Sequence, residues 1–372
     1  MYFKNLNSVR FIAAAMVIVH HIEQAKELKG LPGYYDNNAI LLAGKLGVII
    51  FFSLSGFLIT SLLLKELQQE GRIKLLPFYI RRALRIWPLY FLIVGLAVFV
   101  WPFVPGMQIP GWADPYKHLF LNLALLIFLL PNLQQFGIGP ISFNAQNWSI
   151  GTEEQFYLFW PLVVGLSTRF KLERLIVGLL AIFLATKLAY YIIPGQHTDG
   201  ALWKARDYLT NYFQIDCMIW GALFAVFQAN GKGRTWLSNC YVQFFSYALF
   251  IGLALRGERF LSVAEGALYW DFYAILAGLL LYNLVQPTSV VNLEFRWLSR
   301  LGNWSYGMYM FHMIVIWLLL KAIGGNNLLL YPLVFGCVII IAWLSFTYFE
   351  KSFLRLKDRF AVLQTTTAPP SA

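Results

Sequence analysis

Charge is scarce in this chain: Asp, Glu, Lys and Arg together make up 13% of its 372 residues, whereas hydrophobic residues make up 59%. A soluble fold could not hide that much apolar surface, so an ordinary soluble enzyme is excluded and a polytopic membrane protein is expected. Acidic residues are the rarer sign, 18 against 29 basic ones, which leaves a net charge of +11. The basic residues cluster in short segments between apolar runs, a pattern of cytoplasmic loops and not of a nucleic-acid-binding surface. Cysteine is nearly absent. Cys217, Cys240 and Cys337 lie in apolar stretches without C-x-x-C spacing, which speaks against a disulfide framework or a zinc site, and no metal is expected. No period of the roughly 20–50 residues typical of solenoids recurs. The first apolar run lacks a small-x-small cleavage site, so it is expected to persist as a helix.

Runs long enough to cross a bilayer fall near residues 8–28, 45–65, 84–103, 153–168, 174–193, 212–229, 239–256, 267–286, 305–321 and 328–349. A further run, 117–130, is about fourteen residues long, which suits a re-entrant or interfacial segment better than a crossing. Ten crossings with the N-terminus inside put the larger share of the positive charge in cytoplasmic loops; treating 117–130 as an eleventh would move most of the downstream charge outside. The expectation is therefore an all-α polytopic bundle of about ten transmembrane helices plus one re-entrant or interfacial helix. Both termini are expected in the cytoplasm. Residues 1–353 would form the membrane domain, and 354–372 a cytoplasmic basic segment and a polar, disordered tail.

Polar residues inside apolar runs carry the functional signal. In VRFIAAAMVIVHHI, Val9 to Ile22, Arg10 and His21 are eleven positions apart, almost three whole turns. They therefore share one face at a separation of ~16 Å, with His20 rotated by ~100° from that line. Such a pair faces a wet cavity or a protein interior; the plainer reading is an arginine at the headgroups and a histidine satisfied by a backbone carbonyl. GVIIFFSLSGFLIT, Gly47 to Thr60, places Ser53, Ser55 and Gly56 among bulky side chains. Small residues there let a neighbouring helix approach closely, and Ser55 could instead line a channel.

Arg81, Arg82 and Arg85 in FYIRRALRIWPLY form a forked-donor cluster suited either to phosphate or to anionic lipid, with Arg81 and Arg85 on one face by their spacing. In NWSIGTEEQFYLFWP, Glu153 lies one turn from Tyr157. That acid fits a helix N-terminal turn, or a carboxylate that orients an imidazole. Asp216, and Tyr309 with His312 on one stripe beside Ser305, fit either interhelical hydrogen bonds or a binding role. His118 and His197 have no partner spacing and read as solvated.

Taken in order, the Arg10–His21 pair, FFSLSGFLIT, the arginine cluster, WSIGTEEQFY and SYGMYMFH before a terminal FEKSF resemble the membrane acyltransferase 3 family, over Leu6 to about Phe353. The resemblance implies transfer of an acyl group, most often acetyl, from cytoplasmic acyl-CoA to a hydroxyl of a surface or secreted carbohydrate, in a bacterial cytoplasmic (inner) membrane. The chain is expected to lack the outer hydrolase-like domain that some members of that family carry at the C-terminus. His21 falls on the family's essential histidine, Arg10 on its paired arginine, Arg81, Arg82 and Arg85 on its cytoplasmic arginine motif, and Glu153 on its carboxylate.

The mechanism expected from this places His21, Glu153, Arg10 and Tyr157 at the chemistry. Arg81, Arg82, Arg85, Arg10 and Ser55 would hold the acyl-CoA, and Asp216, Tyr309 and His312 would contact the acceptor. In it, His21 is oriented by Glu153 or a neighbour. The alternatives are a transporter or flippase of a glycan or lipid, and a sensor or scaffold that uses the arginines only for lipid contact.

Overall fold

The computed structural model describes residues 3–192, 201–256 and 268–360. His197 and the tail after Phe360 lie outside the described residues. Among them the chain is helical, and the only β pairing is the isolated bridge Ala113–Ile141. Fourteen α-helices are described: α1 (Leu6–Leu28), α2 (Asn38–Glu70), α3 (Leu75–Phe99), α4 (Leu119–Ile127), α5 (Pro131–Gly137), α6 (Trp148–Gly165), α7 (Leu172–Ile192), α8 (Ala201–Asn211), α9 (Ile215–Ala229), α10 (Cys240–Arg256), α11 (Tyr269–Leu284), α12 (Arg296–Ile323), α13 (Asn327–Leu344) and α14 (Lys351–Asp358).

Among the described residues, five helical stretches are long and apolar enough to cross a membrane: Asn38–Glu70, Leu75–Phe103, Lys204–Ala229, Arg296–Ile323 and Asn327–Lys357. The all-helical class is as expected; ten crossings are more than length and apolarity establish. α1 is not one of the five, because Arg10, His20, His21 and Glu23 lower its hydropathy. Its position explains how it carries them. α1 packs between α2 and α12, so its polar side chains meet protein and cavities.

The bundle is tightest where side chains are smallest. A Cβ on Gly56 of α2 would stand 1.8 Å from the Met218 carbonyl oxygen of α9, and one on Gly221 of α9 would stand 1.9 Å from that of Ser53. Gly302 of α12 meets the Asn7 carbonyl in the same way, at 1.8 Å. The backbones touch at these points, as expected for Ser53 and Gly56 from the sequence. α2 thereby becomes the common wall against which α1, α9, α11 and α6 pack.

The 117–130 stretch folds as a short helix and a reversal. α4 has nine residues, a rise of ~14 Å, well short of the ~30 Å hydrocarbon core. Leu129 adopts φ 59°, which turns the chain into α5. Asn122 and Gln134 pair across the turn at 3.0 Å, satisfying polar groups that the reversal buries.

At the other end of the sequence, α13 passes through a π-helical turn, Ser345–Glu350, into α14, so winding continues past Phe353. The Phe360 carbonyl accepts a 2.8 Å bond from Arg81, near the C-terminal end of α2 and the N-terminal end of α3. Since α1 runs antiparallel to α2, with Phe3 against Phe57, both ends of the described chain lie toward the C-terminal half of α2.

Candidate active site

Two cavities meet in the middle of the bundle. The first lies between α1, α2, α3, α6 and α12 and takes three guanidiniums: Arg10 from α1, Arg82 and Arg85 from α3. Arg82 and Arg85 are three residues apart, so one turn of α3 presents both. Glu153 of α6 faces them, its two oxygens accepting from Ser55 of α2 at 2.8 Å and from Tyr157 at 3.1 Å. Arg10 donates to Asn7 Oδ1 at 2.8 Å, while Arg82 Nε is buried without a partner among the described residues. Phe51, Phe52, Leu58 and Ile59 supply the remaining wall. Three cations against one carboxylate, in a narrow apolar-walled space, suit a multiply charged anion carrying an uncharged arm.

The second cavity, about 470 Å³, opens at the opposite end of α1. His20 and His21 line it with Lys45 of α2, Asp207 of α8 and the aromatic faces of Trp112, Trp148 and Tyr212. Lys45 lies over the Trp148 ring at 4.2 Å and donates to the Asn211 carbonyl at 2.7 Å. Asn211 in turn donates to Asp207 at 2.7 Å. His20 is tied at Nδ1 to the Ile40 carbonyl at 2.9 Å. Aromatic faces with hydrogen-bonding groups around them suit a ligand that presents both apolar and polar faces.

Val48 and Tyr309 line both cavities, so a thin septum separates them. The Tyr309 hydroxyl donates to the Gln146 carbonyl at 2.8 Å and shares a 2.8 Å bond with Ser149. Beside this septum His21 Nδ1 stands 3.0 Å from the Val17 carbonyl and 3.0 Å from His312 Nε2. His312 Nδ1 stands 2.6 Å from the Tyr309 carbonyl. Among the described residues His21 Nε2 has no protein partner, and His21 borders the second cavity.

The structure thus gathers Arg10, Arg82, Arg85, Ser55, Glu153 and Tyr157 around the first cavity, sets His21 on the second, and puts Tyr309 on both. Four expectations need correcting. Arg81 turns away from the cavity to pair with Glu66 at 3.3 Å, because the face shared by Arg82 and Arg85 is the one that meets α1 and α6. Asp216 lines neither cavity; it is fully buried and paired with Lys187 of α7, which also holds Asp271 of α11 at 2.9 Å. Asp271 takes a further 2.9 Å bond from Trp220, so this cluster joins α7, α9 and α11. His312 is also fully buried and lines neither cavity, lying behind His21. Glu153 does not orient His21: its oxygens are held by Ser55 and Tyr157.

Lys45, Trp148 and Asp207 were not singled out from the sequence. Lys45 was legible as a cation just inside an apolar run, but Asp207 comes from a short helix with no apolar signal of its own.

The peptidoglycan O-acetyltransferase OatA of Listeria monocytogenes is 26% identical over 364 residues, covering 94% of this chain and 55% of the relative. The O-acetyltransferase OatA of Staphylococcus aureus (strain NCTC 8325) is 27% identical over 331 residues, covering 85% of this chain and 51% of the relative. The chain thus spans about half the length of the curated relatives it matches. No solved structure matches it. The acyltransferase domain profile, by contrast, matches residues 3–347, nearly the whole chain. On that match the chain belongs to the membrane acyltransferase 3 family.

Proposed function

We propose that the protein is an integral-membrane O-acetyltransferase that moves an acetyl group from acetyl-CoA to a hydroxyl of a carbohydrate outside the cytoplasm. The observation that carries this reading is the pair of cavities meeting at Val48 and Tyr309, one cationic and one bordered by His21. Arg10, Arg82 and Arg85 bind the phosphates of the donor by charge-assisted, forked hydrogen bonds. The uncharged pantetheine arm follows the apolar wall along α1 and brings the thioester to the septum. The acceptor sugar enters the second cavity against Trp148 and Tyr212.

His21 Nε2 then takes the hydroxyl proton as the oxygen attacks the thioester carbonyl. The C–O bond forms, the tetrahedral oxyanion collapses, and the C–S bond breaks. The proton passes from Nε2 to the departing CoA thiolate. The Tyr309 hydroxyl lies at the septum, and it would serve the oxyanion by turning its proton away from the Gln146 carbonyl. The donor side is the cytoplasm of a bacterium, and both termini are cytoplasmic; the grouping of the chain's two described ends beside the arginine cavity and the bacterial origin of the relatives support this.

The test is turnover of radiolabelled acetyl-CoA by the purified chain in lipid vesicles, with a soluble glycan as acceptor. His21→Ala should lose about 10² to 10⁴ in rate while CoA binding persists. A transporter or flippase would leave the labelled thioester intact. Either that result or an active His21→Ala variant would overturn the reading.

A further inference from the structure

We infer that His312 is a positioning residue that fixes His21 as the Nδ1–H tautomer and so makes Nε2 the atom that works as base. The inference rests on the proposed role of His21 and goes beyond it by assigning which nitrogen acts and what sets it. The argument is a chain of hydrogen-bond polarities. A carbonyl oxygen accepts only, so the 2.6 Å contact between His312 Nδ1 and the Tyr309 carbonyl requires the proton on His312 Nδ1. A neutral His312 therefore presents a lone pair at Nε2, and that lone pair points at His21 Nδ1 from 3.0 Å. His21 Nδ1 also faces the Val17 carbonyl at 3.0 Å. Two acceptors converge on one nitrogen, so that nitrogen carries the proton and the remaining lone pair of His21 lies on Nε2.

The arrangement matters most when His21 becomes imidazolium. Its Nδ1–H then carries more positive charge and strengthens both bonds, to the Val17 carbonyl and to His312 Nε2, where the positive charge develops. His312 is fully buried and borders neither cavity, so it acts through His21 and not on a substrate. Without it, the Val17 carbonyl alone would hold the Nδ1 proton, and the tautomer with the proton on Nε2, which has no lone pair to offer the acceptor, would be populated. The two histidines are 291 residues apart and come from the parallel helices α1 and α12.

The chain has five histidines, so a ¹⁵N-histidine spectrum of the full chain in lipid nanodiscs can be assigned by single substitutions. His21 should show a protonated Nδ1 and an unprotonated Nε2. His312→Leu should lower kcat for acetyl-CoA turnover about 10–100-fold, leave KM for acetyl-CoA within about twofold because the donor cavity is untouched, and mix the His21 tautomers. His312→Gln, which can place an amide oxygen where Nε2 lies, should restore the tautomer and most of kcat. Wild-type His21 found as the Nε2–H tautomer would overturn the inference without any variant, as would His312→Leu with unchanged kcat and tautomer. If His312→Leu does not fold, the wild-type and His312→Gln spectra decide. An active His21→Ala would sink the proposed function itself, whereas an inactive His21→Ala beside a fully active His312→Leu would sink only this inference.

Discussion

Ser55 of α2 donates a 2.8 Å hydrogen bond to Glu153 of α6, and this bond ties the carboxylate to the wall of the arginine cavity from a helix on its far side. Tyr157 holds the other oxygen at 3.1 Å, one turn along α6. A hydrogen bond to a buried charged group contributes about 1.5–3 kcal/mol, so Ser55→Ala and Tyr157→Phe should each lower kcat/KM for acetyl-CoA by at least about tenfold. Steady-state transfer of labelled acetyl groups measures this. Unchanged kinetics in both variants would remove Glu153 from the donor site.

The three arginines of α3 should separate by function. Arg82→Gln and Arg85→Gln remove cations that line the cavity, so the apparent affinity for acetyl-CoA should fall about tenfold or more, and the loss should shrink as salt rises. Arg81 faces Glu66 and Phe360 instead, so Arg81→Gln should change donor affinity less than about threefold. Isothermal titration with CoA at two ionic strengths compares them. Equal losses at all three positions would mean that the cavity does not select the donor.

The contact between α2 and α9 should tolerate no added carbon. Gly56→Ala would press a methyl to 1.8 Å from a carbonyl oxygen and Gly221→Ala to 1.9 Å, and since backbone cannot give way as a side-chain tip can, each should cost more than about 3 kcal/mol. Gly95→Ala and Gly252→Ala, with nothing within 4 Å, are the matched controls. Thermal denaturation in detergent should show the first pair misfolded or melting well below the second.

Lys187 faces Asp216 and Asp271 at full burial. Lys187→Met would leave two carboxylates uncompensated, which should destabilise the fold by about 3–5 kcal/mol. Asp216→Asn keeps one pair intact and should leave acetyl-CoA turnover within about twofold, because the cluster borders neither cavity. A large loss of turnover in a stable Asp216→Asn protein would restore Asp216 to the acceptor site.

Parts of this arrangement were legible in the amino-acid order because they depend on local geometry. The eleven-residue step from Arg10 to His21 fixes one helical face and one separation, and the two residues do border the two cavities. Gly56 stands where a small residue would admit a neighbour, and a neighbour is there. The 117–130 run was read as short, and its helix α4 has nine residues before the chain turns at Leu129. The arginine cluster was read only in part. Spacing pairs Arg81 with Arg85, but the cavity takes Arg82 with Arg85, because Glu66 on another helix claims Arg81.

The sequence by itself determined the helical membrane class, the axis on which a cation and an imidazole stand apart, and the membership of the family, since hydropathy and helical period are properties of short stretches of chain. Only the tertiary structure decided what each polar group faces. Lys187 neutralises Asp216 and Asp271 from a different helix, and His312 reaches His21 across 291 residues. A charge or a ring nitrogen takes its role from the atom opposite it, and in a packed bundle that atom belongs to a remote part of the chain.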